Sequence, residues 1–323
     1  MATQAPPFTL TPETTVFVAG GRGLVGSAII RELKRRGVTR IIAPTSQELD
    51  LRDRDAVFAA LEKNPPDVII DAAARVGGIH ANNTYPAQFL SDNILIQVNL
   101  MDAAAAGDVS RFVFLGSSCI YPKFAPQPIP ESSLMTGELE PTNSAYAVAK
   151  IAGIQQVQAH RSQYGRSWIS AMPTNIYGPG DNFHPEDSHV VPALIRRIHE
   201  AKERGDQTVT IWGSGTPLRE FLYVDDLARG IIYLLEHYDS ADIINVGSGE
   251  EVSIRELAET ICDVVGFEGE LVFDSSKPDG TPRKFLDNSK IEALGWRAEV
   301  SLRDGLDTTY RWFLEHEDSF RGK

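Results

Sequence analysis

Short apolar segments alternate with longer helical stretches along the first half of the chain. Five segments are apolar, brief and bounded by turn residues, which is typical of buried strands; they cover residues 15–19, 40–43, 67–71, 111–116 and 167–173. The longest helical stretches, 86–106 and 144–164, lie between them. Regular alternation of strand and helix favours a parallel sheet with helices on both faces. We therefore predict an α/β fold with a doubly wound parallel sheet over residues 15–173.

The pattern changes after residue 173, where the segment 177–185 is rich in glycine, proline and polar residues. Beyond it the periodicity predicts further elements of both kinds. The helices cover 190–204, 225–237, 253–265 and 301–315, and the short strands cover 208–212, 219–223 and 243–246. We predict a smaller mixed α/β region, residues 174–323, that binds the substrate. The prediction leaves open that some of its strands and helices return to the first domain.

Composition narrows the class of protein. The chain has 323 residues, of which 42% are hydrophobic, so it can build a full core. A net charge of −13 argues against nucleic acid or an anionic membrane as the main partner. The two cysteines, Cys119 and Cys262, fit a reducing compartment, and neither stands in a metal-ligand spacing. No apolar run reaches membrane-spanning length, and residues 1–14 lack a signal pattern, so we expect a cytoplasmic protein without a bound metal.

A glycine-rich turn follows the first predicted strand and leads directly into an amphipathic helix. Its glycines have the spacing G-x-x-G-x-x-G, which permits a tight turn and lets backbone N–H groups approach a pyrophosphate at the positive end of the helix. A plain tight turn is the alternative. The order of strand, turn and helix favours a dinucleotide-binding domain of the Rossmann type. The predicted cofactor contacts here are Gly20, Gly21, Arg22, Gly23, Leu24, Val25 and Gly26.

The end of the second predicted strand bears on which dinucleotide is bound. NAD-binding units commonly place an acidic residue there to hold the ribose 2′-OH, and residues 40–46 contain none. An acid would repel a 2′-phosphate, whereas Arg22 in the glycine turn could pair with one. No second cation stands at 44–46. The pattern therefore favours NADPH/NADP over the unphosphorylated cofactor.

Tyr146 and Lys150 stand four residues apart, downstream of a serine pair that ends the fourth predicted strand. On a helix this spacing puts both side chains on one face. We expect the ammonium to lower the pKa of the phenol, so that Tyr146 can exchange a proton with an alcohol or ketone oxygen. Ser117 could hydrogen-bond the same oxygen. The alternatives are a solvated helix face and serines that only form a turn.

Several longer segments carry a more specific pattern than the motifs above. They are AAARVGGIHANN at 72–83, GSSCIYP at 116–122, MPTNIYGP at 172–179, DNFHP at 181–185, WGSGTPLREF at 212–221 and KPDGTPRK at 277–284. These segments resemble the GDP-L-fucose synthase family, which belongs to the extended short-chain dehydrogenase/reductases. The resemblance runs from about residue 15 to 315 and is closest to plant-type members.

The resemblance implies that GDP-4-keto-6-deoxy-D-mannose is epimerised at C3 and C5 and then reduced at C4 with NADPH. A 4-keto group acidifies both flanking C–H bonds, so an acid and a base can exchange those protons. Cys119 and His189 match the family's pair for this exchange. Tyr146 would supply the proton at C4, Lys150 would hold the ribose, and Ser117 would orient the keto oxygen.

The resemblance also implies further binding residues and a quaternary structure. The long helices at 86–106 and 144–164 could form the four-helix homodimer interface common in this group. The implied cofactor contacts are Leu115, Gly116, Ser118, Pro173, Thr174, Asn175 and Ile176, and the implied contacts to the GDP-sugar are Arg197, Trp212, Arg219, Asp279 and Lys284.

Three other functions compete with this interpretation, and the residues argue against one of them, 4,6-dehydration. A 4-epimerase with a recycled cofactor would need no Cys119/His189 pair. A 4,6-dehydratase needs an acid–base carboxylate pair just after the catalytic serine, where this chain has Ser118 and Cys119. A dinucleotide-binding protein without turnover would be free to lose Tyr146, Lys150 or Ser117, and all three are present.

Overall fold

The computed structural model describes residues 8–185, 187–277 and 279–320. Its strands, in chain order, are β1 (Thr15–Ala19), β2 (Arg40–Ile42), β3 (Val68–Asp71), β4 (Arg111–Leu115), β5 (Ile169–Pro173), β6 (Asn175–Tyr177), β7 (Thr208–Trp212), β8 (Leu218–Tyr223), β9 (Ile244–Val246), β10 (Glu251–Ser253), β11 (Glu270–Asp274) and β12 (Arg283–Lys284). Its helices are α1 (Leu24–Arg35), α2 (Arg54–Lys63), α3 (Ile79–Thr84), α4 (Pro86–Ala106), α5 (Ser144–Tyr164), α6 (Val190–Arg204), α7 (Val224–His237), α8 (Ile254–Val265), α9 (Ser289–Ala293) and α10 (Leu302–Phe320).

A six-stranded parallel sheet forms the centre of the fold, in the order β2-β1-β3-β4-β5-β9. The predicted doubly wound α/β fold is therefore confirmed. The chain runs outward in one direction from β1 to β2 and in the other from β3 to β9, so the strand order reverses between β1 and β3. In open sheets of this kind ligands bind outside the carboxyl ends of the strands at this reversal.

Helices cover both faces of the sheet because successive strand residues point to opposite sides. In β1, Val16 and Val18 pack in one apolar cluster with α1 and α7, while Phe17 and Ala19 pack in the other with α2, α4 and α5. Both faces of β1 are thus buried, as expected of a parallel sheet between two helical layers.

The second region has its own apolar cluster, in which α6, α8 and α10 pack together through residues such as Ile198, Ile261 and Phe313. In its sheets, β8 pairs with β6, β10 and β12, and β7 pairs with β11. The chain also returns to the first sheet: β9 pairs with β5, and α7 packs against α1. A division into domains at residue 173 stays a prediction.

The elements with strong periodicity coincide with those predicted from the sequence. The helices α4, α5 and α6 and the strands β1 and β7 have the predicted bounds. The helix α2 and the short elements β6, β10, β11, β12, α3 and α9 were not predicted, because segments of two to ten residues with mixed polarity carry little periodic signal. No helix within the described residues is both long and apolar enough to cross a lipid bilayer.

Candidate active site

The glycine turn lies at the carboxyl end of β1 and begins α1. Gly20 has φ +71°, and a Cβ there would come within 2.8 Å of the Ala72 carbonyl oxygen. A Cβ on Gly26 would lie far inside van der Waals contact with the Gly20 carbonyl oxygen. Gly23 is the N-cap of α1 and provides no side-chain cap, which leaves the first N–H groups of the helix available to an anion. The turn fits the pyrophosphate of a dinucleotide.

Arg22 projects from this turn toward the loop that follows β2. There, hydrogen bonds from Thr45 lower the pKa of the Glu48 carboxyl, and the charge of Arg22 lowers it further. Arg22 thus lies near the segment that would carry a 2′-phosphate partner. This placement agrees with the predicted preference for NADP, although it puts a carboxylate beside the cation.

Ser117, Tyr146 and Lys150 meet at the end of β4. Ser117 begins a single 3₁₀ turn, Ser118–Ile120, and its hydroxyl accepts a hydrogen bond from Cys119 N at 3.2 Å. The same hydroxyl hydrogen-bonds the Tyr146 phenol. The buried Lys150 Nζ donates to the Leu115 carbonyl oxygen at 2.9 Å and lies 5.9 Å from the Tyr146 ring centroid. The structure therefore brings the three predicted reductase residues together.

One sequence-based expectation about this trio is wrong. Lys150 was expected to lower the pKa of Tyr146, but burial raises that pKa, Cys119 and Asp71 raise it as well, and only the hydrogen bond with Ser117 lowers it. Burial is the largest cause of the raised pKa, and the Lys150 ammonium donates to the Leu115 carbonyl oxygen. Tyr146 therefore keeps its proton at neutral pH, which is the form that a proton donor needs.

Cys119 lies in the 3₁₀ turn, where two donors from distant segments reach its sulfur. Asn143 Nδ2 donates to Sγ at 3.4 Å, and Lys284 Nζ donates at 3.5 Å. The sulfur therefore faces one amide donor and one positively charged donor. Burial and the charge of Lys284 lower the pKa of the imidazole of His189, the N-cap of α6. Lys284 therefore lies near His189 as well as near Cys119. His189 is therefore neutral at pH 7, when it can donate or accept a proton.

The remaining predicted contacts to the GDP-sugar lie in the second region. Arg219 is a largely buried cation on β8 whose pKa burial lowers and the nearby Asp279 raises. Asp279 accepts hydrogen bonds from Ser214 N at 2.7 Å and from Ser214 Oγ at 2.9 Å. Trp212 is 66% exposed at the end of β7, with the Arg197 guanidinium 6.0 Å from its ring centroid. Lys284 of β12 pairs in register with Arg219 of β8, and its ammonium reaches the Cys119 thiol.

The other predicted cofactor contacts lie at the carboxyl ends of β4 and β5. Leu115, Gly116 and Ser118 follow one another from β4 into the 3₁₀ turn. After β5, Thr174 N donates to the Val246 carbonyl oxygen at 3.1 Å, and Asn175 Nδ2 donates to the Glu220 carbonyl oxygen at 2.8 Å. The segment Pro173, Thr174, Asn175 and Ile176 thus leads from the parallel sheet into the strand pair β6–β8. Their contacts to a cofactor stay a prediction.

Two residues at the site were not found from the sequence. Asn143 stands just before α5 and contacts Cys119 across 24 positions of the chain, for which no local pattern exists. Asp71 is a fully buried carboxylate at the end of β3. The sequence does contain a sign of Asp71, because a charged residue at the end of an otherwise apolar strand is unusual.

The parallel sheet and the glycine turn are those of a dinucleotide-dependent enzyme. The model of the NAD dependent epimerase/dehydratase family matches residues 16–247. The chain is 60% identical over 302 residues to a probable GDP-L-fucose synthase 1 of Oryza sativa subsp. japonica, covering 93% of this chain and 92% of that one. It is 53% identical to the GDP-L-fucose synthase of Escherichia coli strain K12, covering 95% and 98%.

Among solved structures, a GDP-L-fucose synthetase from Naegleria fowleri bound to NADP superposes with a TM-score of 0.92 at 32% identity. The superposition covers 99% of this chain and 100% of that one. The chain therefore belongs to the NAD dependent epimerase/dehydratase family and, within it, to the GDP-L-fucose synthases.

Proposed function

We propose that this protein converts GDP-4-keto-6-deoxy-D-mannose to GDP-L-fucose by epimerisation at C3 and C5 and reduction at C4 with NADPH. One observation carries the proposal: the Cys119 thiol and the Ser117 hydroxyl stand two residues apart in one turn, with Tyr146 hydrogen-bonded to Ser117. A group for proton exchange and a group for ketone protonation can therefore face the same sugar. Identity with GDP-L-fucose synthases along nearly the whole chain supports the same reaction.

Exchange at C3 and C5 requires a base and an acid on opposite faces of the sugar ring. Cys119 is suited to be the base, because Asn143 and Lys284 both donate to its sulfur. The C–H electrons pass into the ring as an enolate that the 4-keto group stabilises. His189 is suited to return a proton to the other face, because its neutral imidazole carries an N–H.

Reduction at C4 uses the second set of residues. NADPH, when bound, supplies the hydride. Ser117 positions the keto oxygen by a hydrogen bond, and Tyr146, whose pKa is raised by burial, donates the proton that the oxygen gains. Lys150 holds its place by donating to the Leu115 carbonyl oxygen, with further N–H groups free to bind a ribose hydroxyl.

The nucleotide part of the substrate fits the predicted residues of the second region. One nitrogen of the Arg219 guanidinium donates to the Leu218 carbonyl oxygen at 2.8 Å. The planar guanidinium can bind a diphosphate in bidentate fashion. The exposed Trp212 ring offers a stacking surface for a base, with Arg197 and Lys277 beside it.

The test combines two variants with two readouts in D2O. Cys119→Ser should abolish deuterium incorporation at C3 and C5 and lower GDP-L-fucose formation by about 10²-fold or more. Tyr146→Phe should keep the deuterium exchange in the presence of NADP⁺ but lower NADPH oxidation by about 10²- to 10⁴-fold. NMR of the sugar reports exchange, and nicotinamide absorbance reports reduction. Cys262→Ala, at the other cysteine, is the matched control and should leave both unchanged.

Different outcomes would identify the competing functions. Sugar isomerisation at C4 that persists in Cys119→Ser, without net NADPH oxidation, would indicate a 4-epimerase. Binding of NADPH to the wild type with neither oxidation nor exchange would indicate a binding protein without turnover.

We also propose that the protein is a cytoplasmic homodimer. Both cysteines are free, which fits a reducing compartment. The paired helices α4 and α5 carry the exposed apolar side chains Leu95 and Val148, which a second copy of the chain could cover.

A further inference from the structure

Asp71 is a buried carboxylate that the mechanism above does not use. It ends β3 and is fully inaccessible to solvent. Its Oδ1 accepts a hydrogen bond from Ala73 N at 3.1 Å, and its Oδ2 is buried with no hydrogen-bond partner. A half-satisfied buried carboxylate is costly unless a positive charge compensates it.

The compensating charge is Lys150. Asp71 pairs in register with Phe114 of the neighbouring strand β4, and the Lys150 ammonium lies over the end of that strand. Its Nζ is 2.9 Å from the Leu115 carbonyl oxygen and 4.8 Å from the Phe114 ring centroid. The two charged groups act on each other through space, without a direct hydrogen bond between their side chains.

Their protonation is mutually dependent. Burial lowers the pKa of Lys150, and Asp71 is the charged group, among the described residues, that opposes this by raising it. Burial raises the pKa of Asp71 to about 6, while Lys150 lowers it. Asp71 also acts on Tyr146, whose pKa is raised by burial, by Cys119 and by Asp71, and is lowered by Ser117.

We propose that Asp71 is the counter-ion of Lys150 and a positioning residue for the reductive half of the reaction. The buried carboxylate holds the lysine in its charged form and holds the Lys150–Tyr146 pair protonated. This inference rests on the proposed reduction at C4, and it assigns to Asp71 no contact with the substrate or the cofactor.

A purely structural role for Asp71 can be separated from this one. The Oδ1 bond to Ala73 N shapes the bend after β3, and Gly20 packs directly against that bend at Ala72. Asn has the same shape and keeps the oxygen that accepts from Ala73 N, but it carries no charge. Asp71→Asn therefore removes the charge and preserves the bend, whereas Asp71→Leu removes both.

The first experiment is the pH dependence of NADPH oxidation in single turnovers. Since the charge of Asp71 raises the pKa of both Lys150 and Tyr146, its removal lowers both. The alkaline limb, where a required proton is lost, should move to lower pH in Asp71→Asn by about half a unit or more. Deuterium exchange at C3 and C5 with NADP⁺ should keep its wild-type profile, because that step uses Cys119 and His189. An unmoved limb in an active variant would overturn the inference.

The second experiment needs no turnover. In protein labelled with ¹³C at the aspartate carboxyls, the resonance missing from Asp71→Asn identifies Asp71. It should titrate near pH 6 in the wild type and at higher pH in Lys150→Met, since the positive charge is gone. Titration at the ordinary position in both proteins would refute the pairing. If the Asp71 titration shifts in Lys150→Met while the wild type oxidises no NADPH, the ion pair is supported and the proposed function is refuted.

Discussion

At the scale of single residues, burial decides the protonation of side chains around the site. Asp181, in the loop that follows β6, is 6% exposed. Its Oδ1 accepts from Asn182 N at 2.7 Å, while its Oδ2 is buried without a partner, and burial raises its pKa to about 7. Among the described residues, no cation lowers this pKa in the way that Lys150 lowers the pKa of Asp71. Between about pH 4 and pH 7, Asp181 is therefore protonated in the folded protein, whereas it is ionised in the unfolded chain, where its pKa has the ordinary value of about 4.

Because the folded-state pKa of Asp181 is raised, its contribution to stability is complete below about pH 4 and is lost as the pH rises through about 7. Asp181→Asn removes this loss and keeps the acceptor for Asn182 N. The variant should become more stable than the wild type by about 1 to 3 kcal/mol at pH 8, with a smaller gain at pH 5. Urea unfolding at both pH values measures the difference. A gain independent of pH, or one matched by the exposed control Asp55→Asn, would contradict the argument.

At the scale of elements, glycines set how closely helices approach strands. A Cβ on Gly153 of α5 would collide with the Phe114 ring of β4. Because glycine has no Cβ, the helix that carries Tyr146 and Lys150 can pack closely against the strand that ends in Leu115. Gly26 acts likewise in α1, whose first turn rests on the Gly20 carbonyl. The distance between the helix α5 and the strand β4 therefore depends on Gly153, and the distance between α1 and the glycine turn depends on Gly26.

Gly26→Ala should displace α1 from the glycine turn, because the added Cβ meets the backbone at Gly20, which cannot rotate away. We expect NADP⁺ affinity to fall by about 10-fold or more, since the helix N-terminus no longer faces the pyrophosphate. Calorimetric titration with NADP⁺ measures the loss, and circular dichroism checks the fold. Gly107→Ala, at the end of α4 with φ −86°, is the control and should bind normally. Wild-type affinity in Gly26→Ala would refute the assignment of the turn.

At the scale of the whole molecule, the outer surface of the α4–α5 layer exposes two apolar side chains. Leu95 is 44% exposed and Val148 is 47% exposed. Val148 stands two residues after Tyr146, on the side of α5 away from the sheet. A dimer through this layer would fix the helix that carries the catalytic residues without covering the site.

The double variant Leu95→Glu/Val148→Glu should be a monomer, because it places four carboxylates in the two-fold interface of a homodimer. Light scattering after size exclusion measures the mass. Leu314→Glu replaces a side chain of α10 with similar exposure, 43%, and should leave the dimer intact. A wild type that is already monomeric, or a double variant that stays dimeric, would exclude this interface.

The sequence by itself determined the elements with local signatures. Apolar runs defined β1, β3, β4 and β5, long periodic stretches defined α4 and α5, and the glycine spacing and the Tyr146/Lys150 pair indicated a dinucleotide-dependent enzyme. These signals depend on residues that lie within a few positions of each other, so they can be read from the chain directly.

Only the tertiary structure decided the contacts that join distant segments. It placed β9 beside β5, brought Lys284 to a cysteine 165 positions away, and set Asp71 near Lys150. It also reversed the expected pKa shift of Tyr146. Burial and through-space charge depend on which surfaces pack together, and a linear pattern does not contain that information.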